Sequence, residues 1–314
     1  MDRSIEDGHV LVVGSAGIDV KGRPDYTLAA GTSTPGRIRS SVGGVARNIA
    51  ENLARLEVPT ILMSAVGDDA PGQRVLARCQ DAGIDTSHVR VLPGERTGHY
   101  VAILSPNGQL NVAISDYKIA RQIDADYLQA HEQLFAAAAL VVIDANLENG
   151  TLKALFRLTR RFKVPVCADP TSPSLAGRLR PHLNRIHLIT PNLFEAGELC
   201  GETLTTHDLD TARSVAQAML DHGVKIAVVT LGVHGLVYAS GTDRGHIPAI
   251  RTEITDETGA GDALTSGVIF GLLHGVPLDE AMRLGVSAAS LTLRSRETVV
   301  KELSQELLYD QLVI

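Results

Sequence analysis

The chain has 314 residues and a formal net charge of −7, so it carries no surplus of positive charge for a nucleic-acid backbone or an anionic bilayer, and both partners are excluded at first reading. Hydrophobic residues make up 44% and charged residues 21%, the balance of a globular protein with a large packed core rather than a disordered or fibrous one. Cys79, Cys167 and Cys200 are odd in number, far apart and spaced unlike zinc ligands, which argues against a disulfide framework and for a reduced, cytoplasmic protein.

In chain order, Val10 to Val13 reads as a buried strand opening into the turn Gly14 to Gly17; it is too short for a signal segment, as the run Gly267 to Leu273 is for a membrane span. Helical spacing of apolar residues follows over 45–56, a strand-like run over 60–65, and a second helix over 71–82. Strands at 140–143, 164–168 and 226–230 alternate with helices at 149–162, 192–200 and 208–222. A hairpin is predicted over 233–247 from its glycine-rich turns, and a helix of small apolar residues over 263–274. This alternation predicts an α/β fold, a mostly parallel central sheet flanked by helices on both faces.

Two stretches, about 19–39 and 97–114, interrupt the alternation. The second holds two strand-like runs joined by Ser105, Pro106, Asn107 and Gly108, a hairpin turn signal. A few strands without a helix cannot form a core of their own. They are predicted to make a small β-strand lid, from discontinuous segments, within one domain spanning 1–314.

The segment Asp256 to Asp262 carries the chemistry. Gly259, Ala260 and Gly261 bring backbone amides close to a ligand at the start of a helix, where unpaired N–H groups and the positive end of the dipole make an anion site. Asp262 adds a carboxylate in the first turn, where negative charge is welcome. Anion donors beside a base are what phosphoryl transfer to an alcohol requires. Alone, the segment reads first as a capped helix after a glycine turn, and the function rests on the rest of the chain.

With its partner motifs, the chain resembles the ribokinase-like, or PfkB, carbohydrate kinase family. Residues 256–269 are similar to that family's second signature, which implies Gly259, Ala260 and Gly261 as anion hole and Asp262 as catalytic base. Gly43 to Ala50 looks like the first signature, which implies sugar contacts from Gly43, Gly44 and Asn48. Asn192 and Glu195 resemble an Asn-x-x-Glu element that organises Mg²⁺ and the phosphates of ATP, while Thr230, Gly232 and Gly235 resemble the strand and turn that contact the nucleotide. Asp19 corresponds to the carboxylate that binds two sugar hydroxyls. Asp256 and Thr258 match positions that hold a monovalent cation in many relatives, which implies K⁺ here.

Each residue also has a plainer reading: Asn192 and Glu195 form a capping box without metal, Asp19 caps or pairs on the surface, and Arg47 is an exposed helix cation pairing with Glu51. Two positions depart from the family pattern. Gly17 stands where many relatives have Asn, and Glu257 where Thr or a smaller residue is usual.

Within the family, the run Gly36 to Ala50, with Arg47 in it, looks most like pseudouridine kinases, as do the lid segments 93–97 and 112–116. That resemblance implies ATP-dependent phosphorylation of the 5′-hydroxyl of pseudouridine, with Arg47, Thr97, Asn111 and Asp116 as further substrate contacts and His99 outside the site. Ribokinase, adenosine or other nucleoside kinase and fructokinase activities are the alternatives. A homodimer through an exposed lid edge is expected. A nucleotide-binding regulator without catalysis would have lost Asp262 or a glycine of the anion hole, and both are present. The fingerprints of dinucleotide-binding and P-loop folds are missing.

Overall fold

The structure, a computed structural model, describes residues 8–204, 206 and 208–312. Among the described residues, thirteen strands are distributed between two sheets: β1 His9–Val13, β2 Gly17–Pro24, β3 Gly36–Gly43, β4 Thr60–Gly67, β5 Val89–Leu92, β6 Gly98–Leu104, β7 Leu110–Asp116, β8 Ala138–Asp144, β9 Val166–Asp169, β10 Leu188–Ile189, β11 Ile226–Thr230, β12 Leu236–Ser240 and β13 Arg244–Ile247. The large sheet has the order β13-β12-β11-β10-β9-β8-β1-β4-β5. Its pairings are parallel from β11 through β5, and β12 and β13 add an antiparallel edge as the predicted hairpin.

The strands of the sheet's centre are apolar on both sides because helices cover both faces. Val10 and Val12 of β1 join one core with Ile49 and Leu53, while Leu11 and Val13 join the other with Leu152 and Phe156. The helices predicted over 45–56, 71–82, 149–162, 192–200 and 208–222 form as Val45–Arg55, Ala70–Asp81, Asn149–Phe162, Leu193–Cys200 and Leu209–Asp221. The glycine-rich segment starts its helix three residues earlier than predicted, at Ala260–Leu273. A long helix, Leu278–Leu293, was not foreseen; it packs against Ala260–Leu273 so closely that a Cβ on Gly267 would lie 2.7 Å from the Leu284 carbonyl oxygen. Cys79 and Cys167 are buried and Cys200 partly so, all three free.

The two interrupting stretches become one four-stranded sheet of order β3-β2-β6-β7. Its hairpin turn closes as predicted, Gly108 N donating to Ser105 O at 2.8 Å. Alternation assigns its faces. Asp19 lies opposite Ser41 and Tyr100, and Tyr100 opposite Ser115, so these share one face; Ile38, Val101, Val112 and Ile114 share the other and are exposed. Among the described residues, no helix is long and apolar enough to cross a membrane.

Candidate active site

In the large sheet, β1 lies between β8 and β4, and the chain builds outward from it in both directions. Such a reversal opens a crevice at the carboxyl ends of the strands, where ligands bind in α/β folds. A cavity of about 530 Å³ lies there, lined by Ser15 and Asn146 after the two strands, by Asp19 and Tyr100 of the second sheet, and by Asn48 and Asp262.

Asp144, at the end of β8, is fully buried and was not singled out in the sequence. Its carboxylate accepts from Ser15 N at 2.8 Å, Ser15 Oγ at 2.6 Å and Ala46 N at 3.1 Å. Gly44, at the N-cap of helix Val45–Arg55, has no side chain to satisfy the first amides, so a carboxylate from another strand does so. This anchors the helix that carries Asn48.

Asn48 donates from Nδ2 to Asp262 Oδ2 at 2.6 Å. Asp262 is 8% exposed. Burial pushes its carboxyl up to about 7, against the pull of the Asn48 hydrogen bond and of the Arg47 charge. At its helix start, Gly259 has φ 85, a left-handed conformation in which a Cβ would strike the Thr298 carbonyl oxygen at 2.1 Å. Ala260 N bonds to Glu257 O, whereas among the described residues the amides of Gly261 and Asp262 have no backbone acceptor. Asp19 is buried opposite, and burial pushes its carboxyl up to about 6 despite Lys21 and Arg47 nearby. Gly43 makes this possible, because a Cβ there would overlap the Asp19 carboxylate.

Both readings of Arg47 need correction. It is 1% exposed, neither a surface cation nor a lining of the cavity. Its guanidinium pairs with Glu51, donates to Gly43 O at 3.2 Å, Val42 O at 2.5 Å and Thr298 Oγ1 at 2.9 Å, and holds Asn48 Oδ1. Glu51, fully buried, also receives Arg55 and Arg78, so the predicted i, i+4 pair is the centre of a buried network.

Three further substrate contacts fall elsewhere. Thr97 is buried beside β4, its hydroxyl donating to Asp69 and accepting from Gly67 N at 3.0 Å. Asp116 lies opposite His99, on the sheet face turned away from Tyr100 and Ser115, because strand alternation separates it from them by one residue. Asn111 is exposed and outside the cavity. From the second sheet, Asp19, Tyr100 and Ser115 line the cavity, joined by Tyr117 directly after β7. Tyr117 also explains the departure at Gly17: a Cβ there would lie 2.8 Å from the Tyr117 ring and 2.3 Å from Gly98 O. Burial raises the Tyr117 pKa well above the ordinary tyrosine value, and the nearby Asp19 charge adds to it. Glu257 is exposed.

Asn192, Thr230, Gly232 and Gly235 gather at the ends of β10 and β11. Thr230 N donates to Pro191 O at 2.9 Å, and Gly232–His234 forms a 3-10 turn before Gly235. Asn192 and Glu195 form the full capping box, Asn192 N donating to Glu195 Oε2 at 2.9 Å and Glu195 N to Asn192 Oδ1 at 3.0 Å. Burial pushes the Glu195 carboxyl up. Asp169, at the end of β9, is pushed well up, first by burial and then by the charges of Asp262 and Glu195. Three buried carboxylates, two of which act on the third, offer the hard oxygen donors that fit a divalent cation. Among the described residues no three acidic, His or Cys side chains converge closely enough to chelate one alone, so water and phosphate oxygens would complete its shell.

The expected monovalent site does not fit as well. Asp256 accepts Lys21 Nζ at Oδ1 (2.8 Å) and Oδ2 (2.7 Å) and Thr258 N at Oδ1 (2.9 Å), so its carboxylate is already neutralised by the chain itself.

A model described as "pfkB family carbohydrate kinase" matches residues 7–304. The chain belongs to the pfkB family of carbohydrate kinases. Among family members it is 35% identical to a pseudouridine kinase of Escherichia coli strain K12 over 300 residues, 95% of either chain. It is 28% identical to a guanosine-inosine kinase of Exiguobacterium acetylicum over 92% of this chain and 95% of that one. The ribokinase of Arabidopsis thaliana, solved with ribose and ATP, superposes with a TM-score of 0.83 at 22% identity, over 98% of this chain and 99% of that one, which shows the ribokinase-like fold.

Asp144, Asp169 and Tyr117 were not foreseen. The two aspartates had a signal: each is a carboxylate closing an apolar run that reads as a parallel strand, and strand ends of that kind surround the crevice.

Proposed function

We propose that this protein transfers the γ-phosphate of ATP to the 5′-hydroxyl of pseudouridine, with Asp262 as general base. The observation that carries the reading is the placement of the Asp262 carboxylate: buried in the first turn of a helix, held by Asn48, and across the cavity from Asp19. With a pKa of about 7, Asp262 can take a hydroxyl proton near neutral pH and return it. The free amides of Gly261 and Asp262, at the positive end of the helix dipole, receive the charge developing on the transferred phosphoryl group. Asp19 accepts two ribose hydroxyls, with the Gly43–Gly44 backbone against the sugar.

Asn192, Thr230, Gly232 and Gly235 take the nucleotide. Glu195 and Asp169 hold magnesium through water, and bound there the metal screens the phosphate oxygens. Pseudouridine as acceptor is supported by the similarity to the E. coli enzyme, and Tyr100, Ser115 and Tyr117 are the side chains available to its base. Ile38 (78% exposed), Ile114 (71%) and Val112 (54%) on the outer sheet face support pairing with a second copy of the chain.

ATP turnover and thermal protection measured with pseudouridine, uridine, adenosine, ribose and fructose test the reading. Highest kcat/KM with pseudouridine is expected. A better substrate among the others would move the assignment to that acceptor, and no turnover with any would remove the kinase reading.

A further inference from the structure

Lys21 lies on β2 two residues beyond Asp19, on the same sheet face, and its side chain is 11% exposed. Its ammonium reaches out of the second sheet to both oxygens of Asp256, in the segment that leads into the Asp262 helix. Apart from the exposed local contact of Asp116 with Lys118 at the end of β7, it is the ion pair that joins the second sheet to the rest of the molecule among the described residues. Its geometry joins three things: the Asp256–Thr258 turn, the neighbouring Asp19 carboxylate and the seating of the sheet over the cavity.

The charges give the contact a purpose. Asp19 and Asp256 are both acidic and close enough that Asp256 disfavours ionisation of Asp19, while Lys21 is the foremost charge favouring it. Without the Lys21 charge beside them, the two carboxylates would repel uncompensated. A partly buried ammonium with both oxygens of one carboxylate is a charge-assisted contact of the stronger kind.

We propose that Lys21 is a built-in cation: a positioning residue that stands at the Asp256–Thr258 turn in place of the potassium ion expected there, and that also favours the charged form of Asp19, so that the protein needs no monovalent cation. The link to catalysis rests on the kinase reading; the cation itself is tested without turnover.

The experiment compares melting temperatures of the wild type and Lys21→Met in KCl, NaCl and tetramethylammonium chloride at equal ionic strength. The wild type is expected to be indifferent to the choice of salt. Lys21→Met is expected to melt lower and to regain roughly 3 °C or more in KCl or NaCl but not in tetramethylammonium, as a site newly open to small cations would. Where turnover is measurable, Lys21→Met should raise the acceptor KM about 10-fold with a smaller change in kcat, and the small cation should reverse it.

A wild type stabilised specifically by potassium, or a Lys21→Met variant indifferent to all three salts, would overturn the proposal. Should Lys21→Met fail to fold, Lys21→Met/Asp256→Asn carries the test: with both charges removed it must fold and be indifferent to salt, and a potassium-specific gain there counts against the proposal. If instead no acceptor turns over, the kinase reading fails while the melting experiment still decides the role of Lys21.

Discussion

Asn48 presents its amide nitrogen to Asp262, at 2.6 Å, because Arg47 occupies its amide oxygen. With the amide reversed, a carbonyl would face a carboxylate and an NH₂ group would face a guanidinium, so the buried arginine sets the direction of the bond. The candidate base is thus held by a chain of contacts that ends in the network around Glu51 rather than in the cavity.

Arg47→Lys should therefore be a stability variant. An ammonium cannot reproduce the fork that reaches Glu51, Val42, Asn48 and Thr298 together, and damaging a buried pair of this kind costs about 3–5 kcal/mol at the upper end. Urea unfolding measures it. A loss below about 1 kcal/mol with a large rise in acceptor KM would return Arg47 to the cavity as a substrate contact.

The pH dependence follows from the two raised carboxyls. The base must be deprotonated, so kcat/KM should rise with pH through about 7 as Asp262 ionises, with a further loss below about 6 as Asp19 takes a proton. A kcat/KM profile that stays flat down to pH 5 would contradict this.

The same shift has the opposite consequence for stability. A carboxyl raised in the folded state keeps its proton there while the unfolded chain has lost it. Between the ordinary aspartate range and about pH 7 the folded state binds more protons, so its stability falls as pH rises. Asp262→Asn removes that cost and should melt higher than wild type at pH 8, by roughly 2–8 °C, and show little difference at pH 4. Scanning calorimetry of both proteins at the two pH values checks it.

Glu195→Gln separates metal binding from helix capping. Gln preserves the capping box, so melting should barely change, while the magnesium concentration for half-maximal turnover should rise several-fold. A magnesium titration unchanged from wild type would leave Glu195 with the capping role alone.

Much of this site was legible in the sequence, and the remainder divides by physical cause. Asp19, Asn48 and the Gly259–Asp262 turn stand out through the order of the motifs they belong to, since each alone has a plainer reading, and the two strand-rich interruptions stand out because they break helical spacing. Arg47 could not be placed, since an arginine at i, i+4 from a glutamate reads the same on a surface and in a core. Asp116 was lost to strand register: a shift of one residue exchanges sheet faces, and sequence alone does not set that phase. Helix Leu278–Leu293 stayed hidden because small residues and Gly285, chosen for close packing on Ala260–Leu273, blur its apolar stripe.

Replacing Asp262 by Asn tests the central claim most directly, with single-turnover transfer from ATP and ATP affinity measured on the same variant. Loss of a positioned base should lower kcat by about 10²-fold or more, with ATP affinity nearly unchanged. A variant that keeps a tenth of the wild-type rate would contradict the assignment of Asp262 as the base.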